Sequence, residues 1–158
     1  MKKQLVVLAL FLAPLMAMGQ DSYLLTVDQL NERVKKGKDT TYVINFWATW
    51  CSPCIKELPC FENLQEKFKT EKLKVLLVSV DFKSNLTTSL IPYIKKKKLK
   101  NEVWLINEQD QQVFIERIDK NWSGAIPATL FIKEGNRKFF EKQFTCSELT
   151  TQYKSMTL

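Results

Sequence analysis

Trp47-Ala48-Thr49-Trp50-Cys51-Ser52-Pro53-Cys54 joins two segments of opposite character. Before it runs Tyr42-Val43-Ile44-Asn45-Phe46-Trp47, an almost continuous β-branched and aromatic series. That is the pattern of a strand buried on both faces. After it, Ile55 to Phe68 places Leu58, Phe61, Leu64 and Phe68 near helical spacing. Pro59 falls inside this helix and is expected to kink it. Cys51 would then sit just before the first helical turn, where unpaired N–H groups and the positive end of the dipole favour an anion. A thiolate is such an anion. At a pKa of about 8.5 a thiol is only a few per cent ionised at pH 7, whereas at about 7 it is half ionised. Cys54, one turn inside the helix, is placed to attack a mixed disulfide formed on Cys51. The pair reads as a dithiol redox centre.

The flanking sequence supplies a frame for this junction. Thr26-Val27-Asp28-Gln29 is a capping box that opens a short helix through Leu30 and Val34, ending at Gly37. Lys74 to Asp81 reads as a second buried strand, and Ser84-Asn85 as the cap of a helix through Leu90 and Ile94 to Lys98. Val103 to Ile106 is a third strand, followed by a short helix at Gln112 to Arg117. After Gly124-Ala125-Ile126-Pro127 come strand Ala128 to Lys133, the turn Glu134-Gly135-Asn136, and strand Lys138 to Phe144, an antiparallel hairpin. Thr145-Cys146-Ser147-Glu148 is another capping box, opening a last helix to about Ser155. The fold class expected is α/β, with a central mixed sheet and the site at the C-terminal end of a central strand.

The 158 residues suit one domain, and 45% hydrophobic with 26% charged residues is ordinary for a globular chain. There are no histidines, which removes Cys-His nucleophile pairs, His metal sites and His ligation of haem. Met1-Lys2-Lys3, the apolar Leu5 to Met16 and the small residues Ala17-Met18-Gly19 read as a secretory signal, with cleavage before Gln20. The domain would then be residues 20–158, and losing Lys2 and Lys3 takes the net charge from +7 to +5. The apolar run is short for a membrane span and contains Pro14. No stable membrane span is expected after cleavage, and the mature chain is placed in the periplasm or another extracytoplasmic space. There cysteines persist as disulfides. Lys95 to Lys98 with Lys100 suit a helix C-terminus facing solvent, so nucleic acid is not an expected partner.

Asn45 to Cys54, with Glu57-Leu58-Pro59 behind, resembles the thioredoxin superfamily and, within it, the exported TlpA/ResA-like thiol-disulfide oxidoreductases. Gly124 to Phe131 is similar to the cis-proline strand of that family. The resemblance covers Thr41 onward, and it implies a thioredoxin-like fold with helices on both faces of the sheet. It further implies that Cys51 is the exposed nucleophile and Cys54 the resolving cysteine, with Pro127 in a cis peptide against the two sulfurs. Trp50, Ser52, Pro53, Ile126 and Pro127 would contact the polypeptide substrate, and Trp47 would pack beneath. The implied partners are protein thiols or disulfides and an upstream redox protein. Apocytochrome c, a partner oxidoreductase and misoxidised proteins all fit as clients. The dithiol is itself the redox group, so no cofactor is expected, and the chain is read as a monomer.

Thioredoxin has an aspartate where this chain has Asn45, a group that helps deprotonate the resolving cysteine. An amide cannot take a proton, which leaves Asp81 and Glu57 as candidate acceptors, although carboxylates at strand ends and helix surfaces are usually solvated. The residues between the cysteines, Ser52 and Pro53, lack the histidine associated with strong oxidants, so a reducing couple is expected. Family topology brings the second and last helices to the same face, where Cys60 and Cys146 could form a structural disulfide. A Cys₄ zinc site is the competing use of the four cysteines, but Cys60 and Cys146 are not the close pair such sites use. No metal is expected. The alternative function is a non-catalytic binding or chaperone-like domain whose 51–54 disulfide is structural.

Overall fold

The computed structural model describes residues 23–157. The expected signal at residues 1–19 lies outside the described residues. Among the described residues no helix is long and apolar enough to cross a membrane.

Six strands form one sheet in the order β1-β4-β3-β2-β5-β6, where β1 is Leu24–Leu25, β2 Thr41–Trp47, β3 Leu73–Ser79, β4 Glu102–Ile106, β5 Ala128–Lys133 and β6 Asn136–Phe140. The first four are mutually parallel, and β5 and β6 are antiparallel to their neighbours. Helices α1 (Val27–Lys36) and α4 (Gln111–Ile118) pack on one face through Val27, Leu30, Phe114 and Ile118. Helices α2 (Ser52–Lys67) and α5 (Cys146–Thr157) cover the other, through Leu58, Phe61, Leu64, Leu149 and Tyr153. Helix α3 (Ile91–Lys97) joins that second layer through partly buried Tyr93 and Ile94. The mixed sheet with helices on both faces is the architecture expected.

Strand β2 is buried along all seven residues. Its pleat sends Ile44 and Phe46 into the α1/α4 core and Val43 and Trp47 into the α2/α5 core. Asn45 shares the second face, so a polar side chain stands between two apolar ones. An unpaired amide there would cost a few kcal/mol. It therefore has to meet a polar partner from α2.

Both capping boxes form: Thr26 with Gln29 at α1, and Thr145 with Glu148 at α5. Helix α2 begins earlier than its apolar periodicity indicates and continues through Pro59. Two expectations need correction, and one strand has no counterpart among them. Ser84-Asn85 do not cap a helix; residues Lys83–Asn85 form a 3₁₀ turn and Leu86–Leu90 a π turn ahead of α3. Pro92 has no N–H to give the carbonyl four residues back, and the Ile91 N–H reaches instead to Leu86 O. The hairpin loop is two residues, Glu134-Gly135, both at positive φ (49° and 86°), so β6 starts at Asn136 and ends at Phe140. Strand β1 has no signature in the sequence, because two residues carry no periodicity.

Candidate active site

Cys51 is the N-cap of α2, and its sulfur accepts the Cys54 N–H at 3.3 Å. The two cysteines are joined as a disulfide. Cys54 is fully buried. Cys51, expected to be exposed, keeps only 5% of its surface, because the capping contact turns its sulfur inward. What stands out into solvent around it is Trp50, at 63% exposure, with Ser52 and Pro53. In a reduced pair the same N–H and the start of α2 would favour a thiolate on Cys51 over one on Cys54.

A loop from the far side of the sheet closes on this cap. The Ile126–Pro127 peptide is cis, and Ile126 O lies 3.8 Å from Cys51 Sγ. The loop is held by Trp122, whose Nε1 donates to Ala125 O at 2.8 Å. The Trp122 ring packs against Phe46 and Phe114. Gly124 has φ of 92°, a backbone conformation that favours glycine, and it lies against the tip of the Ile115 side chain of α4. Ile126 lies ahead of β5 and outside the sheet ladder. Beside it a groove of about 200 Å³ is lined by Trp50, Phe82, Ile106, Phe114, Trp122 and Ile126. Phe82 is 65% exposed and was missed in the sequence, although an aromatic residue just past a buried strand was its signal.

The two candidate carboxylates are both buried rather than solvated, and they are differently employed. Asp81 accepts the Thr49 N–H at 2.9 Å, the Thr49 hydroxyl at 2.7 Å and the Ser79 hydroxyl at 2.7 Å. It fastens the segment between β2 and α2 to the end of β3. Glu57 follows Cys54 by one turn and is 1% exposed. Its Oε1 accepts Asn45 Nδ2 at 2.8 Å, and its Oε2 accepts the Phe144 N–H at 2.6 Å. Asn45 Nδ2 is also within reach of Thr129 Oγ1 at 3.2 Å. Burial pushes the Glu57 carboxyl up to about 7, against the two hydrogen bonds, which favour its charged form. Its helix turns it inward because its neighbours at Leu58 and Phe61 form the face that packs on the sheet.

Cys60 and Cys146 are joined as a second disulfide, between α2 and the start of α5. Cys146 is exposed and Cys60 half-buried. All four cysteines are thereby paired. The ring of Trp47 is fully buried against Tyr93, at 5.5 Å between centroids.

The sequence model of the AhpC/TSA family matches residues 21–137. The chain belongs to the AhpC/TSA family. This family match ends before Cys146 and α5. Over 55 residues the chain is 34% identical to the thiol-disulfide oxidoreductase ResA of Oceanobacillus iheyensis, covering 35% of this chain and 29% of ResA. Over 64 residues it is 36% identical to the thioredoxin-like protein YneN of Bacillus subtilis, covering 40% and 36%. The matched stretch thus spans about a third of the length of these curated relatives. Among solved structures, the thioredoxin-related protein of Neisseria meningitidis serogroup B superposes with a TM-score of 0.65 at 22% identity, over 76% of this chain and 87% of that one. The AhpC/TSA chain therefore has the thioredoxin-like fold.

The buried carboxylate has a consequence for stability. An unfolded Glu57 ionises near 4.5, whereas the folded one keeps its proton to about 7. Between these values the folded state holds the extra proton, so stability falls as pH rises through the window and levels off above it. The fall amounts to roughly 3 kcal/mol. Denaturant unfolding of the oxidised protein at pH 5 and pH 8 should show it in the wild type and lose most of it in Glu57→Gln. An equal pH response in both would rule the carboxyl out as its source.

Proposed function

We propose that the protein is an extracytoplasmic thiol-disulfide oxidoreductase that reduces disulfides in protein substrates. The observation that carries this reading is the Cys51–Cys54 pair at the capped start of α2, with the Ile126 carbonyl 3.8 Å from the Cys51 sulfur. ResA, to which part of the chain is similar, is named a thiol-disulfide oxidoreductase.

In the reduced enzyme the Cys51 thiolate attacks one sulfur of a substrate disulfide. A mixed disulfide forms and the other substrate sulfur leaves as a thiolate. Cys54, deprotonated, then attacks the Cys51 sulfur, which releases the second substrate thiolate and leaves Cys51–Cys54 oxidised. Two electrons pass to the substrate, and the two protons given up by the dithiol complete its thiols. An upstream dithiol protein restores the enzyme. The substrate chain lies against Ile126 as an added strand, with an apolar side chain in the groove between Trp50 and Phe82.

Glu57 is the proton acceptor for Cys54. It is one turn away on the same helix, and its carboxyl titrates near neutrality, where a base for a buried thiol is most effective. Asp81 is already engaged by three hydrogen bonds, two from Thr49 and one from Ser79, and it serves as a clasp. Asn45 suits a partner that changes protonation state. Its amide donates to a carboxylate as it stands, and turned by 180° it would accept from a carboxylic acid through the same 2.8 Å contact.

Insulin reduction driven by dithiothreitol is expected from the wild type and absent above background in Cys51→Ser. Equal turnover in both would mark the 51–54 disulfide as structural and the domain as non-catalytic. The Cys51–Cys54 couple, equilibrated against glutathione, should have a potential below about −150 mV, since a value near −120 mV is that of a strong oxidant. Resolution of a Cys51 mixed disulfide by Cys54 should show an inflection near pH 7 that Glu57→Gln removes and Asp81→Asn keeps. The opposite pattern would give the acceptor role to Asp81.

A further inference from the structure

The second disulfide has no part in the exchange chemistry, yet its placement relates it to that chemistry. Cys60 lies on α2 one turn past Glu57, which itself lies one turn past Cys54. Cys146 lies two residues past Phe144, whose N–H is the donor to Glu57 Oε2. The bridge and the hydrogen bond therefore tie the same short piece of chain to the same short piece of helix.

That piece of chain needs such a tie. Residues 141–145 belong to no helix or strand, and all but Phe144 are exposed. The Phe144 ring packs on Phe131 of β5 and Phe140 of β6, which fixes the segment to the sheet. At its other end α5 is held to the residues just past α2, where the Tyr153 ring packs tilted against Phe68 and its hydroxyl donates to Glu71. At the N-terminal end of α5 the covalent link to α2 is Cys60–Cys146. A 2.6 Å contact tolerates little displacement between α2 and the segment that donates to it.

We propose that the Cys60–Cys146 disulfide is a positioning element of the redox site, holding the Phe144 N–H on the Glu57 carboxylate beside Cys54. This rests on the reading of Glu57 as the proton acceptor. The groups that face Glu57 are Asn45 from β2, with Thr129 of β5 behind it, and the Phe144 N–H, and Cys54 is one turn away on its own helix. The charged side chains nearby are turned elsewhere. Glu141 accepts from Ser123, and Lys142 pairs with Glu148, the first-turn acid of α5. The Phe144 N–H is thus a main control on the charged form of Glu57, and the bridge sets its position. Opening the bridge loosens a bond that favours the carboxylate, so Glu57 should hold its proton to higher pH.

The test uses oxidised full-length protein, ¹³C-labelled at glutamate carboxyls, as wild type and as Cys60→Ala/Cys146→Ala. The Glu57 titration midpoint is expected to move upward by about half a pH unit or more in the variant. The Phe144 amide should exchange with solvent at least about tenfold faster. A Cys146→Ala single variant, which opens the bridge with one substitution fewer, should do the same and guards against a poorly folding double variant. A general loss of stability alone would leave the midpoint where it was. An unchanged or lowered midpoint in folded protein would overturn the positioning role while leaving Glu57 as acceptor. The same proteins, with Cys51–Cys54 reduced, are then mixed with Ellman's reagent to read resolution by Cys54 against pH. Its inflection should follow the Glu57 midpoint upward. A resolution profile indifferent to Glu57→Gln would instead refute the acceptor reading, and the proposal resting on it with that reading.

Discussion

A carboxylate pressed into an apolar interface is the constraint around which this molecule is arranged. Glu57 lies between α2 and the sheet, where an isolated charge would cost several kcal/mol. Two features offset that cost. Asn45 stands opposite it in a strand otherwise made of β-branched and aromatic residues, and the Phe144 N–H arrives from a loop 87 positions further along the chain. Raising the carboxyl to about 7 removes part of the remainder, since the group can stay neutral in mildly acidic conditions. Strand β2, helix α2 and the entry to α5 are thereby joined through one polar contact set, and Cys54 is one turn from its centre.

The sulfur end of α2 obeys a related logic. Cys51 occupies the position that a serine or aspartate takes in most helices, and it accepts the Cys54 N–H that would otherwise be unpaired. Capping and the preference for an anion thus follow from a single placement: the group that completes the helix is the one that the helix end favours as an anion. Asp81 and Trp122 hold the two loops that meet there, one through Thr49 and the other through the Ala125 carbonyl. Each fixes a loop that would otherwise be free.

Much of this arrangement is legible in the chain itself. The buried strand, the helix after it, both capping boxes and strand Ala128 to Lys133 are readable because hydrophobic periodicity and caps act between near neighbours. The misreadings share a cause. Ser84-Asn85 has the composition of a cap, but Pro92, several residues on, breaks the regular ladder and a π turn forms instead. Leu24–Leu25 is a strand because β4 stands beside it, not because of its own pattern. Glu57 and Asp81 resemble solvated carboxylates since helix and strand-end acids usually are, and nothing local in either stretch shows what packs over it.

The available chemistry can be read along the chain: two cysteines at a strand-to-helix junction, a helix end to favour a thiolate on the first, and a proline loop far along the chain. These are local matters of spacing and backbone geometry. How that chemistry is surrounded depends on the packed fold. It set Ile126 against Cys51, buried Glu57 one turn from Cys54 while tying Asp81 to Thr49 and Ser79, and laid a second disulfide next to the hydrogen bond that steadies Glu57. Each of these joins residues far apart in the chain, from 32 positions between Thr49 and Asp81 to 87 between Glu57 and Phe144. Desolvation then sets the strength of what they do. Burial and long-range pairing belong to the packed core, and no stretch of this chain carries them alone.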